Sequence, residues 1–436
     1  MSLRLALAAV ATAFCVATSG AGAKPEAQVQ NARFGFAAGG NLQSFPPVTL
    51  RRYLDAARAS HAGWIRIDLN WDVIQHHGPK RYDWSRFDKL ISAITARRMR
   101  VLAGILYTPS WARAKGTAAN YPPTNLAAYA RFVRSAARRY AKKGVHAYEI
   151  WNEPNTATFW GPTPDPARYT RMLKLAYGAI KKADARATVV SAGLSPYGEY
   201  GQRDGKHINP LDFLEAMYAD GARKCLDAVG WHPYNYPFGL GFAESSAWSQ
   251  MSETNPSARS IMATHGDDAK QLWPTEFGFP TGSTSRDVSE ATQAQLLTDA
   301  YTILKTRRWA GPAFFYSFHD SGTNELDVEY NFGVLRHDFS PKPSYDAYQA
   351  VALAGGEGRS SSGRAPVKPP GASRKRSRRL PVWRILRKRS PSLPQRQRLC
   401  QGRTACPRIA RAPRAPLLRS ALAGRCGRMS SRHTRR

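Results

Sequence analysis

Two glutamates stand out as groups able to do chemistry. Glu153 lies in "YEIWNEPN" and Glu276 in "LWPTEFGF", each directly after a run of apolar, β-branched or aromatic residues. Such a run predicts a buried strand, and a charge at its end is costly unless it is paired or used. Two carboxylates carried to one place can divide labour. One hands a proton to a leaving oxygen, while the other attacks carbon or activates water. That is the chemistry of glycosidic-bond cleavage, in which the separation of the two acids sets the stereochemical outcome. Either glutamate alone reads equally well as a structural acid in an ion pair.

The two are far apart in the chain, so the elements between them must unite them. Eight strand-like runs begin at Arg33, Trp64, Arg100, Ala147, Thr188, Ala228, Leu272 and Ala313. Between them lie segments such as "WSRFDKLISAITARR", "NLAAYARFVRSAARRYAKK", "DPARYTRMLKLAYGAIKKA" and "EATQAQLLTDAYTILKTRRW", whose apolar residues recur at three and four. Ser85, Asn125 and Asp165 stand where helix caps are expected. Eight strand-then-helix units predict an α/β chain folded as a (β/α)8 TIM barrel over residues 24–354. A doubly wound sheet is the alternative, but no glycine-rich phosphate loop follows the first run. In a barrel the functional groups gather at the C-terminal strand ends, where Glu153 closes the fourth run and Glu276 the seventh.

With "HPY" closing the sixth run, "WNEPN", "HPY" and "TEFG" together resemble the clan A glycoside hydrolases, the group that includes the family 5 cellulases and family 39. The resemblance covers about residues 33 to 350 and extends to "YDWSRFDKLI" and "FGVLRHDFSPKPSYDAY". It implies a retaining hydrolase of a β-linked poly- or oligosaccharide, with Glu153 as acid/base and Glu276 as nucleophile. It also implies that the His232/Tyr234 pair lies beside the nucleophile, with the phenol donating to it. The residues themselves agree. Asn152 can donate to a sugar 2-hydroxyl, and Arg66, read at the end of the second strand, can keep Glu276 ionised. Arg66 reads otherwise as the partner of Asp68, and His232 as a packed core histidine. Glu149 falls mid-strand, pointing into the barrel, and ranks below Glu153. Trp111 in "TPSWA" and Trp160 in "FWGP" are the candidate sugar-stacking platforms, each also readable as core. Many relatives carry a tryptophan on the eighth strand; "FFYSFHD" has Phe315 and Tyr316 instead, which leaves the floor of the sugar site open.

The formal charge of +33 is unevenly spread. Residues 355–436 hold 24 Lys and Arg against one acid, Glu357, so 23 of the 33 net charges belong to that segment. Its Arg, Pro, Ser, Gly and Ala bias without periodicity predicts a disordered tail, and is equally the composition of GC-rich coding sequence out of frame. "MSLRLALAAVATAFCVATSGAGA" has a short basic start, an apolar run and a small-x-small end, which predicts a signal peptide over 1–23 and export. The run is too short for a membrane anchor. Of five cysteines only Cys225 falls in the barrel, and no metal-ligand spacing is present, so neither disulfide, cofactor nor metal is expected. The expected partner is a saccharide met by a monomer, not nucleic acid. A carbohydrate-binding barrel without turnover is the alternative, disfavoured because binding alone does not need both acids. A polyanion binder driven by the tail is the third reading.

Overall fold

The computed structural model describes residues 31–196, 205–241 and 246–354. The expected signal segment 1–23, the basic segment 355–436 and parts of the loops 198–209 and 235–256, whose length and polar, aromatic make-up suit a saccharide cleft, lie outside the described residues.

All eight expected strands form. They are β1 (Phe34–Ala37), β2 (Trp64–Asn70), β3 (Arg100–Leu106), β4 (Ala147–Ile150), β5 (Thr188–Ser191), β6 (Ala228–Trp231), β7 (Gln271–Pro274) and β8 (Ala313–Tyr316). Every neighbouring pair is parallel, in the order β7-β6-β5-β4-β3-β2-β1-β8. Parallel bridges Leu272–Ala310 and Phe277–Phe315 join the two ends and close the barrel. Helices α1 (Pro47–Ala59), α2 (Trp71–Ile74), α3 (Ser85–Ala96), α4 (Leu126–Ala141), α5 (Pro166–Ala183), α6 (Pro210–Ala219), α7 (Ala258–Thr264), α8 (Glu290–Thr306) and α9 (Pro343–Ala354) connect the strands or follow the last.

Asn125 and Asp165 cap α4 and α5 as expected, each accepting from backbone N–H groups of the first turn. Ser85 does not cap α3. It is already helical, and Asp83 accepts from its backbone N–H instead. The helices α1, α2, α6, α7 and α9 were not singled out from sequence; α6 has a weakly segregated apolar face because six of its ten residues are buried.

Alternation along each strand divides the core in two. Ala37, Trp64, Leu102, Ala147, Val190, Ala228, Trp273 and Phe314, one from each strand, fill the barrel interior. The opposite faces pack beneath the helices in one continuous layer. Where the ladder ends, buried tyrosines replace it. Tyr129 of α4 donates to Ile105 O, and Tyr169 of α5 donates to Ile150 O while accepting from Ala192 N. Tyr169 thus ties the end of β4 to the end of β5, just before Glu153. Tyr169→Phe strands a carbonyl and an N–H in a fully buried place. Urea unfolding should show a loss of about 2–4 kcal/mol, from two unsatisfied groups at about 1–3 kcal/mol each with partial relaxation.

Candidate active site

Strand β4 stops at Ile150, so Glu153 stands three residues beyond it in an irregular turn. Trp151 and Glu153 have φ of 75° and 41°. Non-glycine residues in this region cost about 1–3 kcal/mol each and persist only where surroundings enforce them. Here Trp151 N donates to Ile105 O, Glu153 N to Gly193 O, and the Trp151 indole to Phe159 O. The turn is therefore fixed from β3, β5 and its own loop. It aims Glu153 into the mouth.

Arg66 is the hub beneath. It is the third residue of β2 rather than its last, and its long side chain rises from inside the barrel to the mouth with 1 % exposure. Nε donates to Glu149 Oε2 at 2.6 Å, Nη1 to Glu276 Oε1 at 2.5 Å and Nη2 to Asn152 Oδ1 at 2.8 Å. Asp68, the partner it would have as an ordinary core-edge pair, is more distant, at 3.8 Å. Because Arg66 only donates, the Asn152 oxygen must face it, which turns the amide NH₂ toward the cavity that Asn152 lines.

Glu149 does point inward. It is fully buried, and its other oxygen accepts from Gly193 N and Thr275 Oγ1. It is thus the anchor that holds Arg66 and, through Thr275, the residue before Glu276. Sequence placed Glu149 in the barrel but could not show these partners.

Glu276 lies two residues beyond β7, and Tyr234 donates to its Oε2 at 2.9 Å. Burial pushes its carboxyl up, but the charges of His232 and Arg66 and the hydrogen bonds from Tyr234 and Arg66 outweigh that. The net result holds it below the usual carboxylate range. His232 stands between the two acids, nearer Glu153 than Glu276. Its Nδ1 meets Glu153 Oε1 at 2.9 Å and Glu276 Oε2 at 3.7 Å. Burial works against protonation of its ring, whereas the two carboxylates favour it, and the balance is upward. His232 and Tyr234 both follow β6, which ends at Trp231. Gly193 makes room for this arrangement, since a Cβ there would lie 2.1 Å from the His232 ring.

Ligand atoms of Glu153, His232 and Glu276 all lie within 4.8 Å of one another. Three such donors can hold a metal ion. The guanidinium and phenol already bound to Glu276, however, suit a free carboxylate better than a metal ligand. The cavity above measures about 460 Å³ and is lined by Asn152, Glu153, Tyr234, Glu276 and Tyr316 among others.

Neither tryptophan expected as a platform faces it. Trp160 is 1 % exposed, wedged edge-on between Trp151 and Tyr169. Trp111 packs against Trp71 and donates its indole N–H to Gln75 O, away from the cavity. The aromatic wall is instead Tyr316, Phe332 and Tyr236 around Tyr234, with ring centroids 5.1–6.3 Å apart. Of the two residues at which the sequence left the floor of the sugar site open, Tyr316 stands in the cavity, while Phe315 is buried behind it. Tyr236, two residues beyond Tyr234, continues its alternation and was findable on that ground. Phe332, from a loop after β8, was not.

Residues 28–305 match the Cellulase family, glycosyl hydrolase family 5. The chain belongs to that family. The clan A resemblance read from the three motifs therefore holds. A β-xylosidase from Caldicellulosiruptor saccharolyticus is 24 % identical over 330 residues, 68 % of this chain and 61 % of the relative. The chain thus spans about three-fifths of that relative's length. Among solved structures, a family 39 glycoside hydrolase from Bacteroides cellulosilyticus shares 23 % identity at a TM-score of 0.59, covering 76 % of this chain and 65 % of its own. A monomeric β-xylosidase from Caulobacter crescentus shares 19 % at 0.54, covering 73 % and 69 %. These likenesses show the barrel fold.

Proposed function

We propose that this family 5 barrel hydrolyses β-linked glycosides with retention of anomeric configuration. One observation carries the reading. A Glu153 oxygen and a Glu276 oxygen lie within 4.8 Å, while one acid is braced by a guanidinium and a phenol and the other by an imidazole. Retaining pairs stand about 5–5.5 Å apart and inverting pairs roughly 6.5–9.5 Å, because inversion must fit a water between the base carboxylate and the sugar.

In the first step Glu276 attacks the anomeric carbon and Glu153 gives its proton to the departing glycosidic oxygen, leaving a glycosyl ester on Glu276. In the second, Glu153 takes a proton from water, the water oxygen bonds to the anomeric carbon, and Glu276 is released. The Asn152 NH₂ donates to the 2-hydroxyl, a contact that strengthens as positive charge grows on the ring. The aromatic wall supplies an apolar face for the sugar.

Xylosides are the first substrates to try, since the matched relative from Caldicellulosiruptor saccharolyticus is a β-xylosidase. The setting we propose is outside the cytoplasm, on the strength of the signal-like residues 1–23. Among the described residues no helix is long and apolar enough to cross a membrane. Proton NMR of the first minutes of hydrolysis of a β-xyloside or β-glucoside should show the β-hemiacetal before mutarotation. An α-product formed first would sink the double displacement.

A further inference from the structure

Asp68 lies two residues beyond Arg66 on β2, so its side chain also enters the barrel, one level nearer the mouth, where it lines the cavity. It is only 7 % exposed, yet its carboxylate is poorly provided for. Its single protein hydrogen bond among the described residues is a long one, from the Tyr107 hydroxyl at 3.4 Å. Arg66 Nη1 is 3.8 Å away and already committed to Glu276. Buried carboxylates ordinarily have close partners for their lone pairs, and the unused capacity here faces the space a sugar would fill. Gly40 borders that space: a Cβ there would come 3.4 Å from Asp68 Oδ2 and 3.9 Å from the Tyr107 hydroxyl.

One guanidinium orients the whole group. Arg66 bonds to Glu276, where the anomeric carbon is attacked, and to Asn152, whose NH₂ suits the 2-hydroxyl; Asp68 is its third neighbour on the mouth side. A pyranose with C1 at Glu276 and C2 at Asn152 carries its next hydroxyl on C3. We propose that Asp68 is the receptor for the 3-hydroxyl of the sugar whose bond is cut, so that glycones lacking this hydroxyl or substituted at it are rejected. The proposal rests on the hydrolase reading above.

Burial pushes the Asp68 carboxyl up, the Arg66 charge opposes this, and Glu276 and Glu149 add to it, leaving it at about 6. The Tyr107 hydroxyl also meets it, and Tyr316 lines the same cavity. Below about pH 6 Asp68 is protonated and loses acceptor capacity, so KM should rise as pH falls through that value.

The test compares 4-nitrophenyl β-D-xylopyranoside and β-D-glucopyranoside with their 3-deoxy analogues. The wild-type chain should lose about 10- to 150-fold in kcat/KM when the 3-hydroxyl is absent, the range for a hydrogen bond to a charged group. In Asp68→Ala that ratio should shrink to below about threefold, and Asp68→Asn, which keeps the shape, should flatten the KM profile near pH 6. A merely structural role predicts that the two losses multiply, and that result overturns the proposal. Calorimetric binding of the same glycosides to Glu276→Ala, with and without Asp68→Ala, asks the question without turnover. If wild type hydrolyses neither sugar while binding to Glu276→Ala still depends jointly on Asp68 and the 3-hydroxyl, the hydrolase reading fails and what stands is Asp68 as the receptor for the 3-hydroxyl of a bound sugar. If binding ignores both, or no glycoside binds, the Asp68 assignment fails.

Discussion

Replacing Glu276 by alanine is expected to lower kcat/KM on the order of 10⁴- to 10⁶-fold, on natural saccharides and on aryl glycosides alike. A good leaving group cannot bypass a missing attack on the anomeric carbon. The size of the effect follows from how the carboxylate is held. Burial alone would favour its neutral form, yet His232, Arg66 and the Tyr234 hydroxyl keep it ionised. Below the Asp68 step near pH 6, the kcat/KM profile should therefore carry a second acid limb below pH 4.5, the ordinary value for a glutamate, and Arg66→Gln should move that lower limb upward. A 2-deoxy-2-fluoro glycoside of the accepted sugar should label a single peptide, the one containing "WPTEFGF". Labelling elsewhere, or a Glu276→Ala variant that still turns over aryl glycosides, would take the nucleophile's role from Glu276.

Glu153→Gln should separate the two kinds of substrate. A natural saccharide needs its leaving oxygen protonated, so its hydrolysis should drop roughly 10²- to 10⁴-fold. An aryl glycoside with an acidic phenol needs no proton in the first step, and should still glycosylate Glu276 and show a burst of phenol. The second step then stalls, because nothing takes the proton from water. Glu153→Ala leaves room for azide, which needs no base; added azide should restore steady turnover and yield the β-glycosyl azide. Equal losses on both substrates with no rescue would move the acid/base role to another residue. Removing Nδ1 of His232 should give a milder form of the same pattern, since that atom contacts Glu153 at 2.9 Å.

The repeating frame was legible in the amino-acid order. Strands and helices follow from side-chain periodicity over a few residues, so eight runs from Phe34 to Tyr316 and four of the longer helices could be read, as could the caps Asn125 and Asp165. With eight units the barrel follows, and barrel geometry alone directs residues after strand ends, Glu153 and Glu276 among them, to one mouth. Whatever depends on distance between residues remote in the chain came only with folding. Arg66 and Glu276 are 210 positions apart, and only closure of the barrel makes them a pair. Closure also shows why an arginine read at a strand end acts from mid-strand: its side chain is long enough to climb from one interior level to the next. Trp111 and Trp160 have the right residue type and sit in the right loops, but a large ring is stabilised by burial wherever neighbours permit. Here Trp151 and Tyr169 enclose Trp160, and Trp71 and the Gln75 carbonyl hold Trp111, while Tyr236, Tyr316 and Phe332 are left to face the cavity. Composition shows which rings exist; only packing decides which of them a sugar can reach.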